Sequence, residues 1–423
     1  MVDTENGSVT QEKPKLFYGW IIVIAVTLIY SISEIPIFTF SIFVKPIAGD
    51  MGCGREGITN AISLYFLFLG VFSILGGILV DRLGPRILNF IGTIMIGSGL
   101  IVSAQADSPM MFYLGFSAMG GIGFSFIFVP NQTTLARWFV AKKGLAIGIM
   151  FAGGGIGALI ASYFLQVVIE RSGWRTAFII LGVCVLCVPV LASLFLKKDP
   201  KEMGLEPLGA GEGAPGGPPA AGGGPAIQTE NLTLGEAIKT GSFWIYNLAV
   251  TLIFYGFFMA SVNLAPHLTD MGITAAVAAI GVGIVNGFNA FGRLFMGWVS
   301  DKIGTKRTFF ICLIVGAIMV FYLIPVNATW MMVIFAAFFG VAFGGTVPQM
   351  PRLLSELFGL KYLGAIMGVG TLITTIGPAL GPKVGSKIFG ITGSYSLAFI
   401  TGAIAILIAF VLIYIVKVPK KAS

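Results

Sequence analysis

The sequence has little charge and few of the side chains that enzymes use. Only 10% of its 423 residues are charged, whereas a soluble globular domain has about 25%. It contains a single histidine, His267, and the spacing of its histidine and cysteines does not match a metal site. A Walker phosphate loop is also missing. These absences argue against a soluble protein and against an enzyme, and they predict no metal ion or other cofactor.

Long apolar segments fill most of the chain. Hydrophobic residues make up 56% of it, and the mean hydropathy is +0.94. Twelve segments are long enough to cross a hydrocarbon core as helices, which takes about 20 residues each. The sequence therefore predicts an all-α membrane protein with twelve transmembrane helices, called spans one to twelve below. The predicted spans are Phe17–Val44, Gly57–Val80, Ile87–Ala104, Met110–Leu135, Leu145–Ile169, Thr176–Leu196, Phe243–Leu268, Ala275–Val299, Thr308–Pro325, Thr329–Leu354, Tyr362–Ile388 and Tyr395–Val416.

One short motif occurs twice, 220 residues apart. Both copies read G-x-x-x-D-[R/K]-x-G-x-[R/K], and each lies between two apolar segments. The copies comprise Gly77, Asp81, Arg82, Gly84 and Arg86, and then Gly297, Asp301, Lys302, Gly304 and Lys306. Weaker matches, such as Ala177-Phe178 with Ala398-Phe399, keep nearly the same offset. The pattern predicts two parallel six-helix halves, residues 1–196 and 243–423.

The stretch between the halves, residues 197–242, has a different composition. Its core is rich in glycine, proline and alanine, which predicts a flexible linker. A possible capping box follows, from Thr233 to Glu236, and would begin a short surface helix before span seven.

The distribution of positive charge predicts the orientation. Nineteen lysines and arginines lie on the side that carries both termini and the linker, six lie on the other side, and Arg293 lies within a span. The positive-inside rule makes the richer side cytoplasmic. We therefore expect a multi-pass protein of a bacterial inner (plasma) membrane with both termini in the cytoplasm. Contact with anionic lipid explains the net charge of +8, without a nucleic acid partner.

Arg293 is the cation inside a span. It lies in span eight, about 9 Å from the cytoplasmic end at 1.5 Å per residue. An arginine at depth costs at least about 2.5–3.5 kcal/mol, so it should face a cavity and have a partner. Its guanidinium suits a carboxylate, although a snorkelling side chain or a structural ion pair is the alternative. Asn289 lies one turn away on the same face and could orient Arg293 or contact a substrate.

Glu34 is an acid near the middle of span one, beside Pro36. It could carry a proton or form a polar wall of a cavity, and a structural bond to a neighbouring helix is equally compatible with its position. Glycines spaced by four residues predict close helix packing. They are Gly153 and Gly157 in span five, and Gly377, Gly381 and Gly385 in span eleven.

These motifs resemble those of a known family. The paired turns look like the signature of the major facilitator superfamily. Residues Pro130 to Gly148 are similar to the span-four and span-five motif of monocarboxylate transporters, as is Tyr18-Gly19-Trp20 followed by Lys45. Asn289-x-x-x-Arg293 resembles the Asp-x-x-x-Arg pair that those proteins use for lactate or pyruvate. The bacterial oxalate:formate antiporters share the span-eight arginine.

The resemblance implies transport by rocking of the two halves around a central site. Arg293 would bind the carboxylate, Phe38 would belong to an apolar wall, and Asp81 and Asp301 would help to latch the cytoplasmic side. The partners would be a small monocarboxylate anion, a proton and the lipid bilayer. Glu34 is the expected proton carrier, with Asp270 near the outer mouth as the weaker candidate.

Three positions depart from the family pattern. Asn289 replaces an acid, Phe38 replaces a lysine of the animal proteins, and Gly370 falls where the oxalate antiporters have a second cation. One cavity cation favours a monoanion. An oxalate- or formate-type anion antiporter and a facilitator for a neutral solute remain as alternatives. The substrate, the direction of transport, the oligomeric state and any accessory subunit stay open.

Overall fold

The computed structural model describes residues 17–139, 143–208, 232–359, 363–417 and 419, without the side chains at 81, 136, 143, 144, 301 and 363–365. Within these ranges the chain is almost entirely helical, and Phe139 and Leu208 form one isolated bridge.

The first half contains spans one to six. Span one is divided at Thr39, and span four includes a π-helical segment. The helices are Gly19–Phe38 and Phe40–Asp50 for span one, Arg55–Ala104 for spans two and three, Pro109–Phe112, Tyr113–Met119 and Gly120–Trp138 for span four, and Lys143–Ser193 for spans five and six. The two long helices are interrupted at Gly84 and Gly173, where the backbone is non-helical.

The second half repeats this order. A short helix, Leu234–Ile238, precedes it. The spans are Gly241–Asp270, Ala275–Ile303, Thr305–Tyr322, Thr329–Phe358, the divided span eleven of Leu363–Thr374 and Ile376–Thr392, and Ser396–Ile415. Within the described residues, ten stretches are long and apolar enough to cross a membrane. One of them, Leu145–Ser193, supplies two spans, and span eleven adds another. The all-α fold with twelve transmembrane helices is therefore confirmed.

The backbone shows the internal repeat directly. Gly84 and Gly304, the second glycines of the two motif copies, have φ of 78° and 90°. Side chains other than glycine rarely adopt this conformation, so each motif forms a sharp turn between two spans. Gly52 and Gly272, and Gly173 and Gly393, are also positive-φ pairs with the same 220-residue offset.

Small residues bring neighbouring helices into close contact. In span eleven, a side chain added at Gly377 or Gly381 would meet the backbone of span seven. In span five, Gly153 packs on Thr27, and its carbonyl accepts a hydrogen bond from Ser31 at 2.7 Å. The glycine spacing thus predicted real helix contacts.

The side where span one begins and span twelve ends is called the terminal face, and the other side the opposite face. At the terminal face, Phe17 and Tyr18 pack on Trp138, with ring centroids 5.9 and 5.7 Å apart, while Trp20 packs on Phe139 at 5.2 Å. Two motifs that are distant in sequence therefore form one aromatic cluster.

Both ends of the linker attach at equivalent points. Leu208 donates its backbone N–H to the Trp138 carbonyl, and Leu232 donates to the Phe358 carbonyl. The predicted capping box forms, since Thr233 N–H donates to Glu236 Oε2 at 2.7 Å and Glu236 N–H donates back to the Thr233 hydroxyl. The glycine- and proline-rich residues 209–231 lie outside the described ranges.

Candidate functional site

Arg293 of span eight reaches across to the first half of the molecule. It is half-buried, and its Nη1 donates to the Phe151 carbonyl of span five at 2.7 Å. Its guanidinium carbon also lies 5.3 Å from the centroid of the Phe151 ring. Nε is buried and has no partner among the described residues. The arginine therefore donates a hydrogen bond to span five, contacts an aromatic ring there, and has a buried Nε–H without a partner among the described residues.

Glu34 of span one is buried, with only 6% of its surface exposed. Tyr30, one turn earlier on the same helix, donates its hydroxyl to Glu34 Oε1 at 2.5 Å. Oε2 is buried and has no hydrogen-bond partner within the described part of the chain. It lies against Gly154 of span five, where an added methyl group would overlap it. The carboxyl group is therefore fixed through one oxygen while the other is unpaired.

The structure brings these two ionisable residues together. Arg293 interacts electrostatically with both Glu34 and Tyr30. The cation comes from the second half and the acid from the first, and both lie within the membrane-spanning region. Ionisable side chains within a bilayer are usually paired with another polar group or belong to a functional site. Here Arg293 Nε and Glu34 Oε2 are each without one in the described structure.

Aromatic rings form a wall around this pair. Tyr30 is 5.8 Å from Phe124, 6.4 Å from Phe128 and 5.4 Å from Phe151, measured between ring centroids. Tyr65 of span two adds a further ring, 6.3 Å from Phe124. Apolar walls around a few polar groups are typical of small-molecule sites. Sequence reasoning missed these rings, although the four-residue spacing of Tyr30 and Glu34 was a usable signal.

Asn289 lies near Arg293 but does not bond to it. It is buried, and its Oδ1 has no partner among the described residues. Its backbone packs closely on Gly340 and Gly344 of span ten. Phe38 ends the first helix of span one, and its carbonyl accepts a hydrogen bond from Asn286 of span eight at 3.3 Å. Both positions therefore lie where span eight meets its neighbours.

Asp270 is separate from this site. It ends span seven at the opposite face, where it pairs with Lys45 at 2.6 Å and with Arg55 at 2.5 Å. His267 lies one turn earlier, and its Nε2 is 2.9 Å from the Leu323 carbonyl. Of the two predicted proton carriers, only Glu34 is near Arg293.

The motif residues lie at the turns on the terminal face. Arg82 and Arg86 are exposed, and Gly77 packs near Val129 of span four. The side chains of Asp81 and Asp301, to which a latch role was assigned, lie outside those described.

The second motif copy makes contacts that hold the second half together. Lys302 lies 3.9 Å from the ring centroid of Trp298. Lys306 donates to the Val416 carbonyl at 2.7 Å, directly after the end of span twelve. The Gly297 carbonyl accepts a hydrogen bond from Arg352 of span ten at 3.3 Å.

Known proteins resemble this chain over nearly its whole length. The chain matches the Major Facilitator Superfamily over residues 26–292 and 246–423. It is 27% identical to the oxalate:formate antiporter of Oxalobacter formigenes, covering 92% of this chain and 89% of that protein. It is 26% identical to monocarboxylate transporter 11 of Mus musculus, covering 90% of this chain and 84% of that protein.

A solved structure supports the fold. The crystal structure of a bacterial homologue of the human lysosomal transporter Spinster, in an inward-facing and occupied conformation, superposes with a TM-score of 0.72. The alignment covers 96% of this chain and 97% of that one, at 16% identity.

Proposed function

The chain belongs to the major facilitator superfamily, and from this premise we propose that it is a secondary active transporter of short monocarboxylates such as lactate or pyruvate. A proton accompanies the anion, and the two halves alternate access to a central site. The relatives named above are transporters, one named for oxalate and formate and one for monocarboxylates.

Arg293 carries the proposal. It is a cation within a span, it reaches from one half to the other, and its Nε is unpaired within the described structure. A carboxylate would satisfy this donor and neutralise the charge. The aromatic wall would hold the short carbon chain. Asn289 supplies an amide next to Arg293, and we assign Phe38 to the apolar wall.

A monoanion fits better than a dianion. Position 370, where the oxalate antiporters would place a second cation, is glycine, and a side chain there would point at Asn247 of span seven. Arg293 alone balances one carboxylate. The competing proposal, an oxalate- or formate-type antiporter, is favoured by the 27% identity to the Oxalobacter formigenes protein.

Proton coupling follows from electrostatics. Moving a bare anion against a negative-inside potential costs about 2.3 kcal/mol per 100 mV, and a co-transported proton removes this cost. Glu34 is the proposed carrier, because it is buried beside Arg293 and has an unpaired oxygen. Asp270 is the weaker candidate, because two cations already neutralise it at the opposite face.

Uptake into proteoliposomes tests the substrate assignment. Labelled lactate, pyruvate, acetate and oxalate are offered separately, with and without an acidic outside. We expect lactate or pyruvate to enter faster than oxalate and to accumulate when the outside is acidic. Tighter binding of oxalate than of lactate would favour the antiporter. Uptake that does not depend on the pH gradient would contradict proton coupling.

The variant Glu34→Gln tests the carrier. It should retain lactate counterflow, which needs no net proton movement, and lose accumulation driven by the pH gradient. Asp270→Asn is the comparison, and loss of accumulation there with counterflow retained would transfer the role to Asp270.

A further inference from the structure

We propose that Tyr30 is a positioning residue for the proton carrier. Its hydroxyl donates a hydrogen bond to Oε1 of Glu34, so that Oε2 is the oxygen that takes up and releases the proton. This inference rests on the assignment of Glu34 under the proposed function.

The Tyr30 hydroxyl is held in a fixed place. Its ring is 2% exposed. It packs among Phe124, Phe128 and Phe151, which come from spans four and five. A ring enclosed in this way cannot swing its hydroxyl away without disturbing three neighbours. The packing of the ring therefore holds the hydroxyl in its 2.5 Å hydrogen bond to Glu34 Oε1.

The second oxygen, Oε2, is buried and makes no hydrogen bond within the described residues. It faces Gly154 of span five. Any other residue at position 154 would fill the space next to this oxygen. On protonation, one O–H bond forms at Oε2 and the carboxylate becomes neutral. On release the same bond breaks, and Tyr30 keeps its own proton throughout.

Few charged or titratable groups face Glu34. Tyr30 is on its own helix, Tyr65 approaches from span two, and Arg293 approaches from span eight. Span four contributes phenylalanines, and span five contributes Gly154. Arg293 interacts with the Tyr30 hydroxyl as well as with Glu34, so Tyr30, Glu34 and Arg293 form one cluster.

The variant Tyr30→Phe tests the inference in the intact transporter, reconstituted in proteoliposomes. A hydroxyl that donates to a carboxylate favours the ionised form. Its removal should move the midpoint of pH-dependent lactate uptake to higher pH by about one unit, as expected for a hydrogen bond to a charged group. The phenylalanine keeps the ring in the aromatic wall, so the midpoint of the pH profile, and not the counterflow rate, is the readout. Glu34→Asp, which keeps a carboxyl group but shortens its reach to Tyr30, should shift the midpoint in the same direction.

Tyr246→Phe is the matched control. It removes another buried tyrosine hydroxyl, which donates to the Met350 carbonyl of span ten, and it should leave the midpoint unchanged. Adding Tyr30→Phe to Glu34→Gln should change nothing further in the pH profile.

Three outcomes would overturn the inference. An unchanged midpoint in Tyr30→Phe, together with lost accumulation in Glu34→Gln, refutes the positioning role alone. Loss of counterflow in a folded Tyr30→Phe protein would make Tyr30 a substrate contact instead. Full pH-driven accumulation in Glu34→Gln would reject Glu34 as carrier and, with it, the role of Tyr30.

Discussion

Arg293 is a charged side chain within a membrane-spanning helix. A guanidinium within a bilayer is unfavourable by at least about 2.5–3.5 kcal/mol unless its surroundings compensate. The Phe151 carbonyl and ring supply part of that compensation. The remaining unpaired donor is what a carboxylate would use.

Substitution of Arg293 should abolish substrate binding without unfolding the protein. Arg293→Ala removes the charge, and we expect lactate affinity to fall at least about tenfold, as for the loss of a charge-assisted hydrogen bond of 1.5–3 kcal/mol. Arg293→Lys should also bind poorly, because the forked geometry is lost. Binding is measured by calorimetry on purified protein, with Arg171→Ala, an exposed arginine, as control. Unchanged affinity in Arg293→Ala would end the assignment.

The two ionisable residues of the candidate site stand out in the sequence, but their surroundings do not. Arg293 and Glu34 are conspicuous because charges are rare in apolar segments. The aromatic wall is not, because the chain has 36 phenylalanines and nothing in the sequence distinguishes these few. Which rings meet Tyr30 depends on how spans one, four and five pack, and no local pattern encodes that.

At the scale of helices, the spans and their turns were predictable and their irregularities were not. The length of the apolar segments predicts the spans, and the glycines of the repeated motif predict the turns between them. The interruption of span one at Thr39 was not predicted. There the hydroxyl donates to the Ile35 carbonyl at 2.8 Å, a type of bond that bends helices, and Pro36 lies nearby. Span eleven is interrupted at Thr375, whose hydroxyl bonds to the Leu372 carbonyl at 2.8 Å.

Helix packing through glycine should be sensitive to one methyl group. An added Cβ at Gly381 would collide with the backbone of span seven at Tyr255. We expect Gly381→Ala to lower stability by about 1–3 kcal/mol, as overpacking does. Gly390 lies on the same helix with open space around it, so Gly390→Ala should be neutral or stabilise by up to about 1 kcal/mol. Thermal unfolding in detergent distinguishes them, and equal melting temperatures would contradict the packing argument.

At the scale of the molecule, the two halves were predictable but their relative placement was not. The 220-residue offset recurs in sequence and in the positive-φ glycines. Contacts between the halves join residues that are far apart in sequence, such as Ser41 with Ala265. Relative placement therefore needs three-dimensional information.

The distribution of charge gives a topological prediction. The sequence assigns nineteen of the lysines and arginines to the side that has both termini, so we expect this side, with the linker, to be cytoplasmic. A cysteine introduced at Ala220 in the linker, in a variant without the four native cysteines, should react with an impermeant thiol reagent only after the cells are opened. Labelling in intact cells would show that the linker is outside and that the orientation is the opposite of the one predicted.

The last prediction concerns the opposite face, where ion pairs hold the halves together. Asp270 of the second half accepts from Lys45 at 2.6 Å and from Arg55 at 2.5 and 2.9 Å. Arg55 also contacts the Tyr395 hydroxyl at 3.2 Å and lies 4.0 Å from the Phe389 ring centroid. A transporter that alternates access must part this face to admit substrate from that side. On the proposed mechanism, we expect these contacts to stabilise the state in which the opposite face is closed.

Removal of the shared carboxylate should open that face. Asp270→Asn loses both ion pairs and leaves two cations facing each other; partly exposed pairs contribute up to about 1 kcal/mol each, so the open population should rise several-fold. Ser41 accepts from the Ala265 N–H across the two halves and is buried, so a thiol from Ser41→Cys reports the opening. Its reaction with an impermeant maleimide should accelerate in Asp270→Asn. Asp50→Asn breaks an ion pair to Arg175 within the first half, and it should leave the rate unchanged because no contact between the halves is lost. Equal rates in both variants would mean that the closed face does not depend on Asp270.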